Sequence, residues 1–140
     1  MEHHELIPTL ETDQAAGVSA ARSFIDALAM RDFEALERLL APEVRFRAIV
    51  PRGVREGATD YEAVAWLRKW FGEKDSIELL DSEAASVADR AYLRYRFLAH
   101  ENDLTTLIEQ HAFATLVDGL IADMSLLCSG FRPVEDAAEH

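Results

Sequence analysis

The sequence predicts a single α+β domain in which N-terminal helices pack against one face of a curved antiparallel sheet. Before Gly72, apolar residues recur at helical spacing in three segments, whereas the chain after Gly72 reads as a succession of strands. The later strands are joined by connections of hairpin length, which makes neighbouring strands antiparallel. One helix layer on one face of the sheet is the simplest way to bury the apolar surfaces of both.

Three helices are predicted. The first covers residues 14–30, where apolar residues fall at spacings of three and four. Asp32 has the chemistry of an N-cap for a second, short helix, and Pro42 lies just past the end of that helix. Thr59 and Glu62 have the spacing of a capping box, which indicates where the third helix begins.

Five strands are predicted around these helices. The first strand covers residues 43–50, and the following segment, Pro51–Gly57, has the composition of a loop. The remaining four strands cover residues 76–87, 91–100, 105–117 and 120–131. Asp118-Gly119, between the last two strands, is a strong signal for a two-residue hairpin.

The length and charge of the chain limit its organisation and its partners. The 140 residues fit one domain, predicted at 15–133, with a flexible N-terminal arm at 1–14 and a flexible tail at 134–140. The 26 Asp and Glu residues outnumber the 14 Lys and Arg residues, giving a formal net charge of -12. Because this charge repels phosphate backbones and anionic lipids, we expect no nucleic-acid partner and no membrane partner. The sequence shows neither a membrane span nor a signal peptide, so a cytoplasmic location is predicted.

The sequence carries no recognised cofactor or metal motif. Its single cysteine, Cys128, excludes an intrachain disulfide and any metal site built from several cysteines. A P-loop, the glycine fingerprint of dinucleotide-binding folds and a Ser-His-Asp order are absent. The sequence therefore predicts no cofactor and no metal site.

Four short motifs follow one another along the chain: Phe24–Leu28, Asp32–Leu36, Leu40–Phe46 and the hairpin Leu116–Ile121. In this order they resemble the SnoaL-like branch of the nuclear-transport-factor-two-like superfamily, and the resemblance covers nearly all of residues 15–133. It implies a cystatin-like roll in which three helices and the curved sheet enclose a conical cavity. Proteins of this fold include isomerases, dehydratases, epoxide hydrolases, polyketide cyclases and non-catalytic binding or dimerisation modules, so the fold does not select an activity.

One departure from the resemblance concerns the last strand. Many cyclase-like members carry an Asp near the end of this strand, in the cavity. The corresponding segment here is Leu127-Cys128-Ser129-Gly130, which has no carboxylate. This difference argues against a cyclase or an isomerase activity.

The hairpin predicts which residues share a face of the last two strands. A two-residue loop pairs Val117 with Leu120, and every further pair shares a sheet face. One face then holds Glu109, His111, Phe113, Met124, Leu126 and Cys128. The other face holds Gln110, Ala112, Ala114, Asp123, Ser125 and Leu127. A β-bulge would exchange these faces along part of a strand.

Glu109 and His111 are the candidate catalytic residues. An imidazole near a carboxylate in an apolar pocket can act as a general base, and a desolvated Glu can itself carry a proton. The alternative is a hydrogen-bonded core or interface histidine beside a solvated Glu. The candidate ligand-binding residues are Phe46, Trp66, Trp70, Tyr95, Phe113 and Met124.

Two functions stay open at this level. The first is binding of a small apolar molecule in the cavity, with or without proton-transfer chemistry of isomerase, lyase or hydrolase type. The second is a non-catalytic accessory or scaffold module that forms a homodimer through the face of Ala112, Ala114, Ser125 and Leu127. The sequence does not decide whether the protein is an enzyme.

A local positive cluster lies around the first strand and the loop that follows it. It consists of Arg45, Arg47, Arg52 and Arg55. These side chains could receive a carboxylate or a phosphate, or they could pair with surface acids.

Overall fold

The secondary-structure elements follow the predicted order. The computed structural model describes the backbone of residues 2–134 and the side chains of residues 14–134. The helices are α1 (Glu2–Ala29), α2 (Phe33–Leu39) and α3 (Asp60–Phe71). The strands are β1 (Leu40–Val50), β2 (Gly53–Gly57), β3 (Ser76–Val87), β4 (Arg90–Glu101), β5 (Leu104–Val117), β6 (Leu120–Cys128) and β7 (Arg132–Pro133).

The second and third helices begin at the residues that the sequence indicates. The Asp32 side chain accepts a hydrogen bond from the backbone N–H of Ala35 at 3.1 Å. Thr59 Oγ1 accepts from the N–H of Glu62 at 3.1 Å, and Glu62 Oε1 accepts from the N–H of Ala58 at 2.7 Å. These bonds satisfy donors that a helix start leaves without intrahelical partners.

The first helix begins at Glu2, earlier than the predicted Gln14. Apart from Gln14, the predicted flexible arm lies outside the residues whose side chains are described. The predicted tail also lies outside the described residues, apart from Val134. Over the part of the chain that the structure describes, no helix is long and apolar enough to cross a membrane; the cytoplasmic location stays a prediction.

β2 occupies the segment predicted to be a loop. Gly53 has a φ of 133°, which lets the chain reverse from β1 into β2 with Val50 opposite Gly53. The strand is short and has mostly exposed side chains, so it lacks the apolar alternation that marks a strand in the sequence.

The strands form one curved, open sheet in the order β2-β1-β6-β5-β4-β3, with β7 beside β5. The predicted α+β class is confirmed, but the sheet is mixed. β1 pairs with β6 in parallel, whereas the other neighbours are antiparallel. The parallel pair is possible because a long connection through α3 and four strands, β2 to β5, returns the chain to β1 in the same direction.

The core lies between the helices and the inner face of the sheet, meaning the face that carries the buried side chains. Aromatic rings connect its two sides. Phe24 of α1 lies 6.4 Å from Tyr95 of β4, and Phe71 of α3 lies 5.6 Å from Phe97, measured between ring centroids. These rings lie between the helices and the sheet, where the conical cavity is predicted.

Candidate functional site

A bulge in β6 sets which side chains of the last hairpin face the core. Val117 pairs with Leu120 as predicted. Ala122 is then an extra residue, so that Thr115 pairs with Asp123 instead of Ala122. Because side chains alternate along a strand, this one residue exchanges the faces of β6 relative to β5. The inner face carries Gln110, Ala112, Ala114, Met124, Leu126 and Cys128, all of them buried.

Glu109 and His111 therefore lie on the outer face of the sheet, directed away from the core. The His111 and Glu109 side chains are 38% and 35% exposed. His111 Nε2 lies 2.5 Å from Glu109 Oε2, and Tyr92 Oη lies 2.9 Å from His111 Nδ1. The prediction that this pair shares a face with Met124 and Cys128 is wrong, because after the bulge those two side chains point to the inner face. Their catalytic role stays a prediction. The core does not supply the apolar surroundings expected for that role, because both side chains point away from it.

The same bulge affects the predicted dimer face. Ala112 and Ala114 are each 1% exposed, so they belong to the core and cannot share an outer face with Ser125 and Leu127. Leu127 is 56% exposed on the outer side of the sheet. The predicted dimer face is thus wrong in including the two alanines.

The predicted ligand-binding residues are divided among three places. Phe46, Tyr95 and Met124 are buried in the core, at 3%, 0% and 1% exposure. Trp66 and Trp70 are partly exposed on α3 and stack with ring centroids 6.0 Å apart. Phe113, in contrast, lies on the outer face with 41% exposure, again because of the bulge.

A recess opens at the end of the core where the β1–β2 turn, the end of α3 and the segment after β6 meet. Its volume is about 320 Å³, which lies at the small end of the range for ligand pockets. Its lining consists of Val50, Pro51, Arg52, Arg55, Trp70, Cys128, Ser129, Gly130 and Phe131. The wall is thus largely apolar and aromatic, and its charged side chains are two arginines.

A chain of hydrogen bonds connects this recess with the core. Gln110 Nε2 donates to Cys128 Sγ at 3.2 Å, and Tyr95 Oη donates to Gln110 Oε1 at 2.5 Å. Gln110 and Tyr95 are fully buried, whereas Cys128 lies at the floor of the recess with 8% exposure. Burial, and to a lesser extent the electrostatic interaction with Cys128, raises the pKa of Tyr95 well above its ordinary value. The phenol therefore stays a neutral hydrogen-bond donor.

Sequence reasoning missed Gln110 as a member of this site. It was assigned to the face opposite Cys128, and the bulge brings the two side chains together. The available signal was its spacing from Ala112 and Ala114, since three small or polar residues at alternate positions share one face of β5.

Close packing fixes one wall of the recess. Gly130 has a φ of 78°, and a Cβ at this position would lie 2.7 Å from Pro51 Cγ. Ser129 is tied to β5, because its N–H donates to the Glu109 carbonyl and its Oγ accepts from the Glu109 N–H, both at 2.9 Å. The segment after β6 is thereby held against the β1–β2 turn.

The opposite wall is a stack of aromatic and guanidinium groups. Trp66 Nε1 donates to the Glu56 carbonyl at 3.0 Å, which fixes the indole against β2. The guanidinium carbon of Arg55 lies 5.7 Å from the centroid of the Trp66 ring, and Arg55 Nη1 donates to the Val54 carbonyl at 3.1 Å. Since Trp70 stacks on Trp66, these contacts position the aromatic wall and Arg55 together.

A wider depression of about 930 Å³ lies at the start of α3. Its lining alternates in charge, with Arg45 and Arg47 beside Glu56, Glu62 and Asp123. None of its lining residues belongs to the buried hydrogen-bond chain of Tyr95, Gln110 and Cys128. The smaller recess is therefore the better candidate site, because apolar walls and a fixed polar group converge there.

The outer face carries a network of charges. Arg96 and Arg94 donate hydrogen bonds to Asp81 and lower the pKa of this carboxyl group to about 2. Asp81 is thus ionised at neutral pH. Its side chain is 39% exposed, so solvent screens the pair and its effect on stability is small.

The architecture and the recess define a class: a small α+β roll with an open recess between its helices and its sheet. Residues 21–124 match the model of the SnoaL-like domain. The chain therefore belongs to the SnoaL-like domain family, which confirms the resemblance seen in the sequence. No protein of curated function matches the chain.

Solved structures of low sequence identity share the fold. An LEH-like epoxide hydrolase of M. tuberculosis is 14% identical, with a TM-score of 0.66 and coverage of 83% of this chain and 84% of that one. A candidate ketosteroid isomerase from Kribbella flavida DSM 17836 is 18% identical, with a TM-score of 0.62 and coverage of 83% and 79%. A candidate polyketide cyclase from Xanthomonas campestris pv. campestris is 15% identical, with a TM-score of 0.67 and coverage of 82% and 91%. At these identities the likeness shows the fold alone.

Proposed function

We propose that the protein binds a small, largely apolar molecule in the recess beside Trp70 and Cys128. One observation carries the proposal: the recess of about 320 Å³ has apolar and aromatic walls, and its floor is the end of a buried polar chain. An apolar body gains free energy by leaving water for such walls, and a fixed polar group at the floor orients it. That structural neighbours include enzymes named for small organic substrates is consistent with this use of the fold.

The lining supports binding more directly than it supports a reaction. Among the described residues that line the recess, none is a carboxylate or an imidazole. Glu109 and His111 lie on the other face of the sheet, and Tyr95 is held neutral by its burial. A general base at the recess is therefore not identified, and the proposal assigns binding without a proton-transfer step.

The neutral fluorophore Prodan tests the proposal, because its emission changes on entering an apolar site. Wild-type protein should bind Prodan saturably with one site per chain. Trp70→Ala removes part of the wall and should weaken binding about tenfold, which corresponds to about 1.4 kcal/mol. Tyr61→Ala is the matched control, since Tyr61 is an aromatic residue of the same helix with 72% exposure and does not line the recess. Equal affinities of the two variants, or no saturable binding, would exclude this site.

A specific observation also supports a second function, homodimerisation through the outer face of the sheet. Ile49 and Leu127 are paired across β1 and β6, with 48% and 56% exposure. Phe113 lies on the adjacent β5 with 41% exposure, diagonally across from Leu127, whose direct partner on β5 is His111. Ile49, Leu127 and Phe113 together are called the apolar strip. We propose that a second copy of the chain covers this strip, which a two-fold axis would allow.

The dimer proposal predicts the mass of the protein in solution. The wild type should sediment with twice the chain mass of 15.7 kDa. Leu127→Glu should sediment as a monomer, because it places charge in the strip. Val87→Glu should keep the dimer, since Val87 is 52% exposed at the end of the edge strand β3, away from the strip. A wild-type monomer at micromolar concentration contradicts the proposal.

A further inference from the structure

Positive charge is concentrated at the recess although the chain as a whole is acidic. The formal net charge of the protein is -12, yet the two charged side chains that line the recess are Arg52 and Arg55. Both come from the β1–β2 hairpin and lie on the same rim. A neutral ligand would need no such arrangement.

These guanidinium groups are not neutralised by acidic side chains. Within the described residues, neither Arg52 nor Arg55 has a carboxylate oxygen within 4.0 Å, whereas Arg94 and Arg96 both pair with Asp81. Unpaired guanidinium groups keep their N–H donors available for an external anion. Between residues 14 and 134, these two arginines do not form the pairs with surface acids that the sequence raised as an alternative.

Arg55 is also held in position before any ligand arrives. Its guanidinium lies over the Trp66 ring, and one of its nitrogens, Nη1, donates to the Val54 carbonyl. Among the residues with described side chains, the remaining N–H groups of this guanidinium have no hydrogen-bond partner and can donate to an anion. Because the side chain is already ordered, binding costs less conformational entropy than it would for a mobile arginine.

The other rim residue is anchored through its backbone. Arg52 follows Pro51, which packs against Gly130 at a distance that leaves no room for a Cβ on the glycine. The turn is closed by the pairing of Val50 with Gly53. The hairpin therefore presents both arginines at one edge of the same apolar recess.

We infer that the ligand of this recess is an amphipathic monocarboxylate, an inference that rests on the proposed function above. Its apolar body lies against Trp70, Val50 and Phe131, and its carboxylate lies at the rim between Arg52 and Arg55. Planar guanidinium groups match the geometry of a carboxylate, which can accept two parallel N–H bonds from one fork.

The experiment compares two ligands of nearly equal shape, 2-naphthoate and the neutral ketone 2-acetylnaphthalene, by isothermal titration calorimetry at low ionic strength. Wild-type protein should bind 2-naphthoate at least tenfold more tightly than the ketone. The double variant Arg52→Gln/Arg55→Gln should bind both with similar affinity. Its naphthoate affinity should fall by at least tenfold, and the wild-type advantage should shrink in high salt.

Arg47→Gln is a control for charge, because Arg47 is an exposed arginine of β1 that lines the other depression and not this recess. It should keep most of the preference for 2-naphthoate. Arg52→Lys/Arg55→Lys, which keeps both charges without the planar fork, should bind 2-naphthoate with an intermediate affinity. Melting temperatures of the variants near that of the wild type confirm that they are folded.

The outcomes separate the inference from the proposed function. If both naphthalene probes and Prodan bind but the carboxylate has no advantage, the inference is wrong and the proposed function stands. A stronger preference for 2-naphthyl phosphate over 2-naphthoate would overturn the carboxylate assignment. Failure of Prodan to bind saturably would overturn the proposed function itself, and the inference with it.

Discussion

Phe97→Ala is expected to lower the free energy of unfolding by about 3–5 kcal/mol. Phe97 is fully buried on the inner face of β4, and its ring lies 5.6 Å from that of Phe71 and 5.6 Å from that of Tyr95. Truncation removes the ring contact between α3 and β4. The cost combines lost burial with a cavity that neighbouring rings can only partly fill.

Phe113→Ala provides the matched control, since it removes the same side chain from the outer face of the adjacent strand. Phe113 is 41% exposed, so its truncation should cost about 1 kcal/mol or less. Both substitutions are made in the Leu127→Glu background, which removes the proposed dimer contact from the comparison. Urea denaturation followed by circular dichroism then measures the difference. The unbulged register predicted from the sequence places Phe113 on the face of Met124 and Cys128, which are buried. Equal losses for the two variants would therefore contradict the register described here.

The architecture was predictable because its signals are local. Asp32 and Thr59 accept the capping hydrogen bonds that their positions indicate. Asp118 and Gly119 both have positive φ values, 53° and 82°, as a two-residue hairpin requires. Each of these features depends on a few consecutive residues, so tertiary packing does not change it.

The register of the last hairpin was not predictable from apolar periodicity. β6 reads Leu-Ile-Ala-Asp-Met-Ser-Leu-Leu-Cys, in which apolar residues occupy both odd and even positions. Either phase of alternation thus offers an apolar inner face, and only packing against β1 and β5 decides where the extra residue lies. The assignment of Glu109 and His111 depended on that choice.

The recess was not predictable for a different reason. Its lining joins Val50 with Cys128, which are far apart in the sequence and lie on two strands paired in parallel. A parallel pair leaves no local signal like that of a hairpin, because its connection is long. The arginines at the rim were visible in the sequence as a cluster. Their position beside Trp70 and Phe131 depends on β2, a segment whose composition is typical of a loop.

The polar chain beneath the recess should behave as one energetic unit. Gln110→Leu leaves the buried Tyr95 hydroxyl without its acceptor, so we expect the free energy of unfolding to fall by about 1–3 kcal/mol. Tyr95→Phe leaves Gln110 Oε1 without its donor and should cost a similar amount. Both groups are fully buried, and water therefore has no direct access to replace the lost bond.

The double variant Tyr95→Phe/Gln110→Leu distinguishes a coupled pair from two independent packing effects. In the double variant neither polar group is left without a partner. Its loss in free energy of unfolding should therefore be smaller than the sum of the two single losses, by about 0.5–3 kcal/mol. Val64→Ala/Gln110→Leu is a control, since Val64 is a buried residue of α3 without a hydrogen bond to Gln110. The losses in free energy of unfolding from these two substitutions should add. Additive losses in the Tyr95 pair would mean that the bond between Tyr95 and Gln110 contributes little. Coupling confined to this pair would show that the floor of the recess is held by the hydrogen bond itself.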